Sequence, residues 1–133
     1  MNPLLLDNPL LESLGVELVD VGPGTCTLAL AIEPRHLNRQ RTLQGGVSAT
    51  MLDAACGYAG LQQADGALGH AVTLMLSISY LGKVSTGRIR ASATVTRAGR
   101  HIYFSSAELV SDTDECIATA QGTFKRTQEL PSC

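Results

Sequence analysis

Residues 47–61 read VSATMLDAACGYAGL, and the only charge in that stretch is Asp53. Ala and other small residues in a run of this length favour a helix, strained moderately by Gly57 and Gly60. Such a helix is apolar on nearly all sides, whereas a helix on the outside of a protein carries a polar face. It therefore has to be buried. A sheet wrapped around it is the cover that the rest of the chain can supply.

Residues 16–21 open a strand, Gly22-Pro23-Gly24 is turn chemistry, and Cys26, Leu28, Leu30 and Ile32 alternate with Thr27, Ala29 and Ala31. Period two of this kind reads as the second strand of a hairpin. Pro34 ends it, and the polar loop RHLNRQRT leads to Gly45-Gly46. After the linker ADGALGH come strand-like runs at 71–81, 88–97 and 102–110; in the second, Ile89, Ala91, Ala93 and Val95 alternate with Arg90, Ser92, Thr94 and Thr96. One face of that strand is wet or meets a partner. Turns at Ala98-Gly99 and Asp112-Thr113-Asp114 precede a last strand at 116–126. The expectation is one α+β domain over residues 1–133, an antiparallel β-sheet around a long central α-helix. Residues 1–14 form an N-terminal helix or cap, and 127–133 a disordered tail.

Composition removes several classes of function. The net charge is −2, from 12 acidic and 10 basic residues without a run of like charge, so neither nucleic acid nor an anionic membrane is an expected partner. The N-terminus is apolar but lacks a basic region, and Asp7 and Glu12 interrupt it, which argues against a signal peptide. Asp53 breaks the best candidate for a membrane span. Cys26, Cys56, Cys116 and Cys133 show no CxxC spacing, and a reduced, cytoplasmic setting fits them.

An ionised carboxylate among apolar neighbours costs several kcal/mol unless something offsets it. Asp53 either points to solvent or pairs with Arg39 or Arg41, or it is held at a cleft or subunit interface as base or nucleophile. Gly45 and Gly46 precede the helix, where backbone N–H groups lack intrahelical partners. They are a loop hinge, or they present an amide to a developing oxyanion. Asp53 lies roughly 12 Å from Gly45 along a helix axis at 1.5 Å per residue. If both act on one carbonyl, the second group comes from another subunit.

The stretch HLNRQRTLQGGVSATMLDAACGYAG resembles the signature of the phenylacetate-type (PaaI-like) hotdog-fold acyl-CoA thioesterases, in which an Asn, a His-Gly-Gly and an Asp stand at fixed intervals. The intervals match at Asn38, at Gln44-Gly45-Gly46 and at Asp53, and TLMLSISYLGKV is similar to the family's next strand. The resemblance implies a hotdog fold and hydrolysis of an aryl- or medium-chain acyl-CoA. Asp53 would be general base or nucleophile, the Gly45 amide would polarise the thioester carbonyl, Asn38 would orient acyl group or water, and Thr73 would help place the attacking water. It also implies a homodimer with shared active sites, with two dimers forming a tetramer. This chain departs from the pattern twice. Gln44 replaces a His and so orients without exchanging protons. Arg41 stands where the family has Gly, narrowing the mouth or meeting a charged substrate.

Among the other candidates, Gly46, Arg41, Lys83, Arg97, Gly99 and Arg100 are expected on the substrate side, the last four at strand ends or turns where coenzyme A phosphates can be met. His36, His70 and His101 lack metal-ligand spacing and read as surface or loop residues, so no metal is expected. No cofactor is expected either, coenzyme A being part of the substrate. Ser48 lacks a GxSxG context, and Cys56 reads as a buried, inert thiol. Two alternatives stand beside the thioesterase. One is a hotdog hydratase or dehydratase, against which Gln44 argues; the other is a non-catalytic acyl-CoA-binding module.

Overall fold

The computed structural model describes residues 6–128. Helix α1 (Pro9–Leu14) leads to strands β1 (Glu17–Gly22) and β2 (Thr25–Ala31), then a 3-10 turn at Pro34–His36. Helix α2 (Gly45–Ala59) follows, and β3 (His70–Tyr80), β4 (Arg88–Ala98), β5 (Ile102–Val110) and β6 (Cys116–Thr127) complete the domain. The strands form one antiparallel sheet in the order β1-β2-β4-β5-β6-β3. This is the hotdog arrangement, with α2 as the filling.

Helix α2 is amphipathic in the fold though barely so in its residues. Ser48, Met51, Leu52, Ala55, Cys56 and Ala59 recur at spacings of three and four and are buried against the sheet, where they meet a core that includes Leu28, Ile89, Leu109 and Phe124. Thr50, Asp53, Ala54 and Gly57 stay partly exposed on the other side. The sheet thus covers half of the helix, not all of it as its composition suggested.

The helix boundaries also differ from the sequence reading. Gly45 and Gly46 are its first residues, and it stops at Gly60. A side chain at Gly60 would place its Cβ 2.3 Å from the Tyr103 ring. Tyr103 holds that place because its hydroxyl donates to the Gly57 carbonyl at 2.6 Å. Ser105 donates to the Cys56 carbonyl at 2.9 Å, and the Arg126 guanidinium, lying 4.6 Å above the Tyr103 ring, donates to the Gly60 carbonyl. The last carbonyls of α2 are therefore satisfied by side chains of β5 and β6. Burial pushes the Tyr103 phenol up to about 12, with Arg126 pulling the other way.

Helix α1 begins with the Asn8 side chain accepting from the Leu11 N–H at 3.2 Å and ends on Gly15 at φ 83, a left-handed cap that suits glycine. His36, expected at the surface, is buried: its Nδ1 accepts from the Glu33 N–H at 2.9 Å and its Nε2 donates to the Leu14 carbonyl at 2.7 Å. It ties the end of α1 to the turn after β2. Thr127, placed in a tail by the sequence, belongs to β6; residues 129–133, with Cys133, lie outside the described residues. Cys26 and Cys56 are buried and Cys116 half-buried, all three as free thiols, and burial pushes the first two to about 12.

Strand β3 is the edge beside β6, and Val72, Leu74, Met75 and Tyr80 on it are exposed. Its ladder with β6 shifts between Thr73 and Met75, a bulge at Leu74. The sheet face away from α2 is lined by small polar residues, among them Ser77, Ser79, Ser92, Thr94 and Ser106. Among the described residues no helix is long and apolar enough to cross a membrane.

Candidate active site

Asp53 sits on the half-open side of α2 and pairs with no cation among the described residues. Its partner is a hydroxyl. Thr73 donates from Oγ1 to Asp53 Oδ1 at 2.8 Å, across twenty residues of sequence. The bulge beside Thr73 is the kind of local irregularity that re-aims a side chain next to a site. With one carboxylate oxygen held by Thr73, the other is left to take a proton or attack a carbon.

Asp53 and Thr73 open onto a cavity of about 480 Å³. Its walls mix polar side chains, Asp7, Asn8, Thr50, Tyr58 and His70, with apolar residues, among them Ala54, Leu61, Leu68 and Ala71 beyond the carboxylate. The volume suits a small organic group, and the apolar part of the lining gives it a place to pack. Cys56, on the next turn of α2, faces the core, and its raised titration keeps it a thiol rather than a nucleophilic thiolate near neutral pH.

The second group of sequence candidates lies elsewhere on the chain. Asn38, Arg39, Gln40 and Gln44 line a shallow hollow of their own, which does not include Asp53. Gln44 is the N-cap of α2, with φ −64 and ψ 132, and its side chain makes no capping bond. Among the described residues no protein group accepts from the Gly45 or Gly46 N–H. A Cβ on Gly45 would meet Tyr80 at an ordinary 3.5 Å, and one on Gly46 would lie 3.9 Å from Gln44. Packing within the chain therefore does not demand glycine at either place.

Asn38 is occupied by its own loop. Its Oδ1 accepts from the Gln40 and Thr42 N–H groups at 2.9 and 3.1 Å, and its Nδ2 donates to Thr42 Oγ1 at 3.0 Å. One amide hydrogen remains for a ligand. Arg41, in the same loop, has φ 64, a left-handed conformation that glycine adopts without strain. The segment after Lys83 runs beside this region, since the Leu43 N–H donates to the Val84 carbonyl at 2.8 Å. Arg97, Gly99 and Arg100 line neither the Asp53 cavity nor the Gln44 hollow of the same chain.

Two features escaped the sequence reading. Tyr80 donates its hydroxyl to the Gly45 carbonyl at 2.8 Å, fastening β3 to the start of α2. Tyr58 donates to an Asp7 carboxylate oxygen at 2.7 Å, fastening the N-terminal segment to the far part of the cavity. Neither pair carries a local signal, because the partners are 35 and 51 residues apart.

A family model described as "Thioesterase superfamily" matches residues 40–118, a span that contains Gln44, Gly45, Asp53 and Thr73. The chain belongs to the thioesterase superfamily. This thioesterase is 31% identical over 110 residues to human acyl-coenzyme A thioesterase 13, a match covering 81% of this chain and 77% of that protein. It shares 26% identity with a mutant form of the phenylacetic acid degradation protein PaaI from Thermus thermophilus, which superposes with a TM-score of 0.80 over 90% of this chain and 100% of that one. The PaaI protein of E. coli, at 19% identity, shares the fold, with a TM-score of 0.83 over 95% and 89% of the two chains. As a thioesterase, the protein is an enzyme that hydrolyses thioesters. The hydratase alternative also loses its nearest histidine, because both ring nitrogens of His36 are engaged in the core.

Proposed function

We propose that this thioesterase hydrolyses an aryl- or medium-chain acyl-CoA to the free acid and coenzyme A, with Asp53 as the reacting carboxylate. The observation that carries the proposal is the Asp53–Thr73 hydrogen bond at the head of a cavity with an apolar stretch of Ala54, Leu61, Leu68 and Ala71. Water held by Asp53 attacks the thioester carbonyl carbon as the carboxylate takes its proton, or Asp53 attacks directly and water then releases the acid. The oxyanion forms towards the Gly45 N–H at the positive end of α2. The thiolate is expelled and protonated as the acid forms in the first route, and as the Asp53 acyl anhydride forms, before water cleaves it, in the second. The reaction on this reading uses no metal and no cofactor beyond the substrate's own coenzyme A.

The Asp53 cavity and the Gln44 hollow are separate in one chain, and on this reading the pairing of two chains brings them together. Strand β3 supports that reading. It is an open edge with exposed Val72, Leu74 and Met75, and it carries both Thr73 and Tyr80. A homodimer joined there completes each site with Asn38, Gln44, Gly45 and Gly46 from the other subunit. Arg41, Lys83, Arg97, Gly99 and Arg100 are then candidates for the coenzyme A phosphates, and the small polar residues of the outer sheet face can join two dimers into a tetramer. Free thiols at Cys26, Cys56 and Cys116 support a place in the reducing cytoplasm.

Thiol release from a panel of aryl- and alkyl-CoA esters tests the function. Wild type is expected to turn over some members, and Asp53→Asn to lose about 10²–10⁴-fold in rate with its melting temperature unchanged. Equal turnover by both proteins would overturn the role of Asp53.

A further inference from the structure

The Asp53 cavity has a direction. Antiparallel to α2, β3 places Tyr80 beside Gly45 and Thr73 beside Asp53, while the Gly69 N–H donates to the Leu61 carbonyl at 2.8 Å just beyond the end of the helix. From the carboxylate the lining therefore proceeds past Ala54, Gly57 and Ala71 towards Leu61 and Leu68. Tyr58 lies about 7.5 Å further along the axis than Asp53, at 1.5 Å per residue. There the N-terminal segment crosses the cavity, contributing Asp7, Leu10 and Leu11 to its wall.

Charge decides which end of a substrate enters. Asp7 and Asp53 line this cavity together with His70, and no lysine or arginine does. Coenzyme A phosphates are repelled from such a space, whereas an apolar acyl group is accepted. The acyl group then grows from Asp53 towards the crossing, where the buried Tyr58 hydroxyl donates to Asp7 at 2.7 Å. Burial and the Asp7 carboxylate both push the Tyr58 phenol upward, so the donor keeps its proton throughout the working range.

We propose that the Asp7–Tyr58 hydrogen bond latches the N-terminal segment across the acyl cavity beyond Asp53 and sets the longest acyl chain the enzyme accepts. The inference rests on the thioesterase reading above and deepens it. Leu11 is anchored in the core and Leu10 is exposed, so the segment is held from one side and the latch supplies the other hold. Acyl groups that end before Tyr58 fit under the latch. Longer ones collide with it.

The test uses straight-chain acyl-CoAs from butyryl to palmitoyl with wild type, Tyr58→Phe and Asp7→Ala, each checked for an unchanged melting temperature. Wild type is expected to show kcat/KM falling steeply beyond a medium chain length. Both variants are expected to raise the ratio of long-chain to short-chain kcat/KM by about tenfold, the scale on which a pocket discriminates one methylene. The same series is titrated against Asp53→Asn with and without Tyr58→Phe, so that acyl seating is read as affinity without turnover. A uniform fall at every length, or an unchanged ratio in kcat/KM and affinity, overturns the latch. Absence of turnover by wild type with the affinity shift present sinks the hydrolase reading and leaves the latch standing.

Discussion

The two ends of α2 are built to opposite standards. At its C-terminus the carbonyls of Cys56, Gly57 and Gly60 each receive a side-chain donor, and Tyr103 packs so closely that only glycine fits at position 60. At its N-terminus Gln44 makes no capping bond, the Gly45 and Gly46 amides have no protein acceptor among the described residues, and the glycines are not crowded. Unpaired polar groups cost stability when they are buried. A helix finished at one end and open at the other separates the part that secures the fold from the part left free to meet a ligand.

The comparison breaks most easily at Gly45. Gly45→Pro removes one N–H at the first helical position, where proline is well tolerated, and Gln44 already has the extended ψ that proline imposes on its predecessor. Loss of an oxyanion donor is expected to lower kcat by about 10²–10³-fold with little change in melting temperature. Full activity in that variant would move the donor role to Gly46. Next is Gly60→Ala, whose methyl meets the Tyr103 ring; equilibrium denaturation should show a loss of about 3 kcal/mol, with normal turnover per folded molecule. The smallest effect belongs to Tyr103→Phe, which removes one donor at the finished end. It should cost about 1 kcal/mol and leave kcat/KM unchanged, whereas a tenfold loss of activity would show that the two ends are coupled.

Much of this molecule is legible in its residues. Period two in β2 and β4 and the small-residue run of α2 give the class of fold, because both depend on neighbours in sequence. The reading weakens where a residue's surroundings come from far away. His36 is buried because the Leu14 carbonyl and Glu33 N–H accept and supply its hydrogen bonds, and nothing within RHLNRQRT announces that. Gly45 and Gly46 look like a hinge, yet they are helical. The Asp53–Thr73 contact spans the long excursion through Gln62 and Gly69, and only resemblance to a family drew attention to Thr73. Asp7 and Tyr58 had no such help.

The bulge at Leu74 has a consequence for β3 as a whole. Ahead of it, odd-numbered residues face the helix: Ala71 packs on the core and Thr73 reaches Asp53. Behind it the even-numbered ones do, with Leu76 and Ile78 on the core and Tyr80 on Gly45, while Ser77 and Ser79 face outward. An unbroken strand keeps one parity from end to end, and residues 73 and 80 are of opposite parity. One inserted residue therefore acts as a phase inverter, letting a single strand steady both the carboxylate and the open end of the helix.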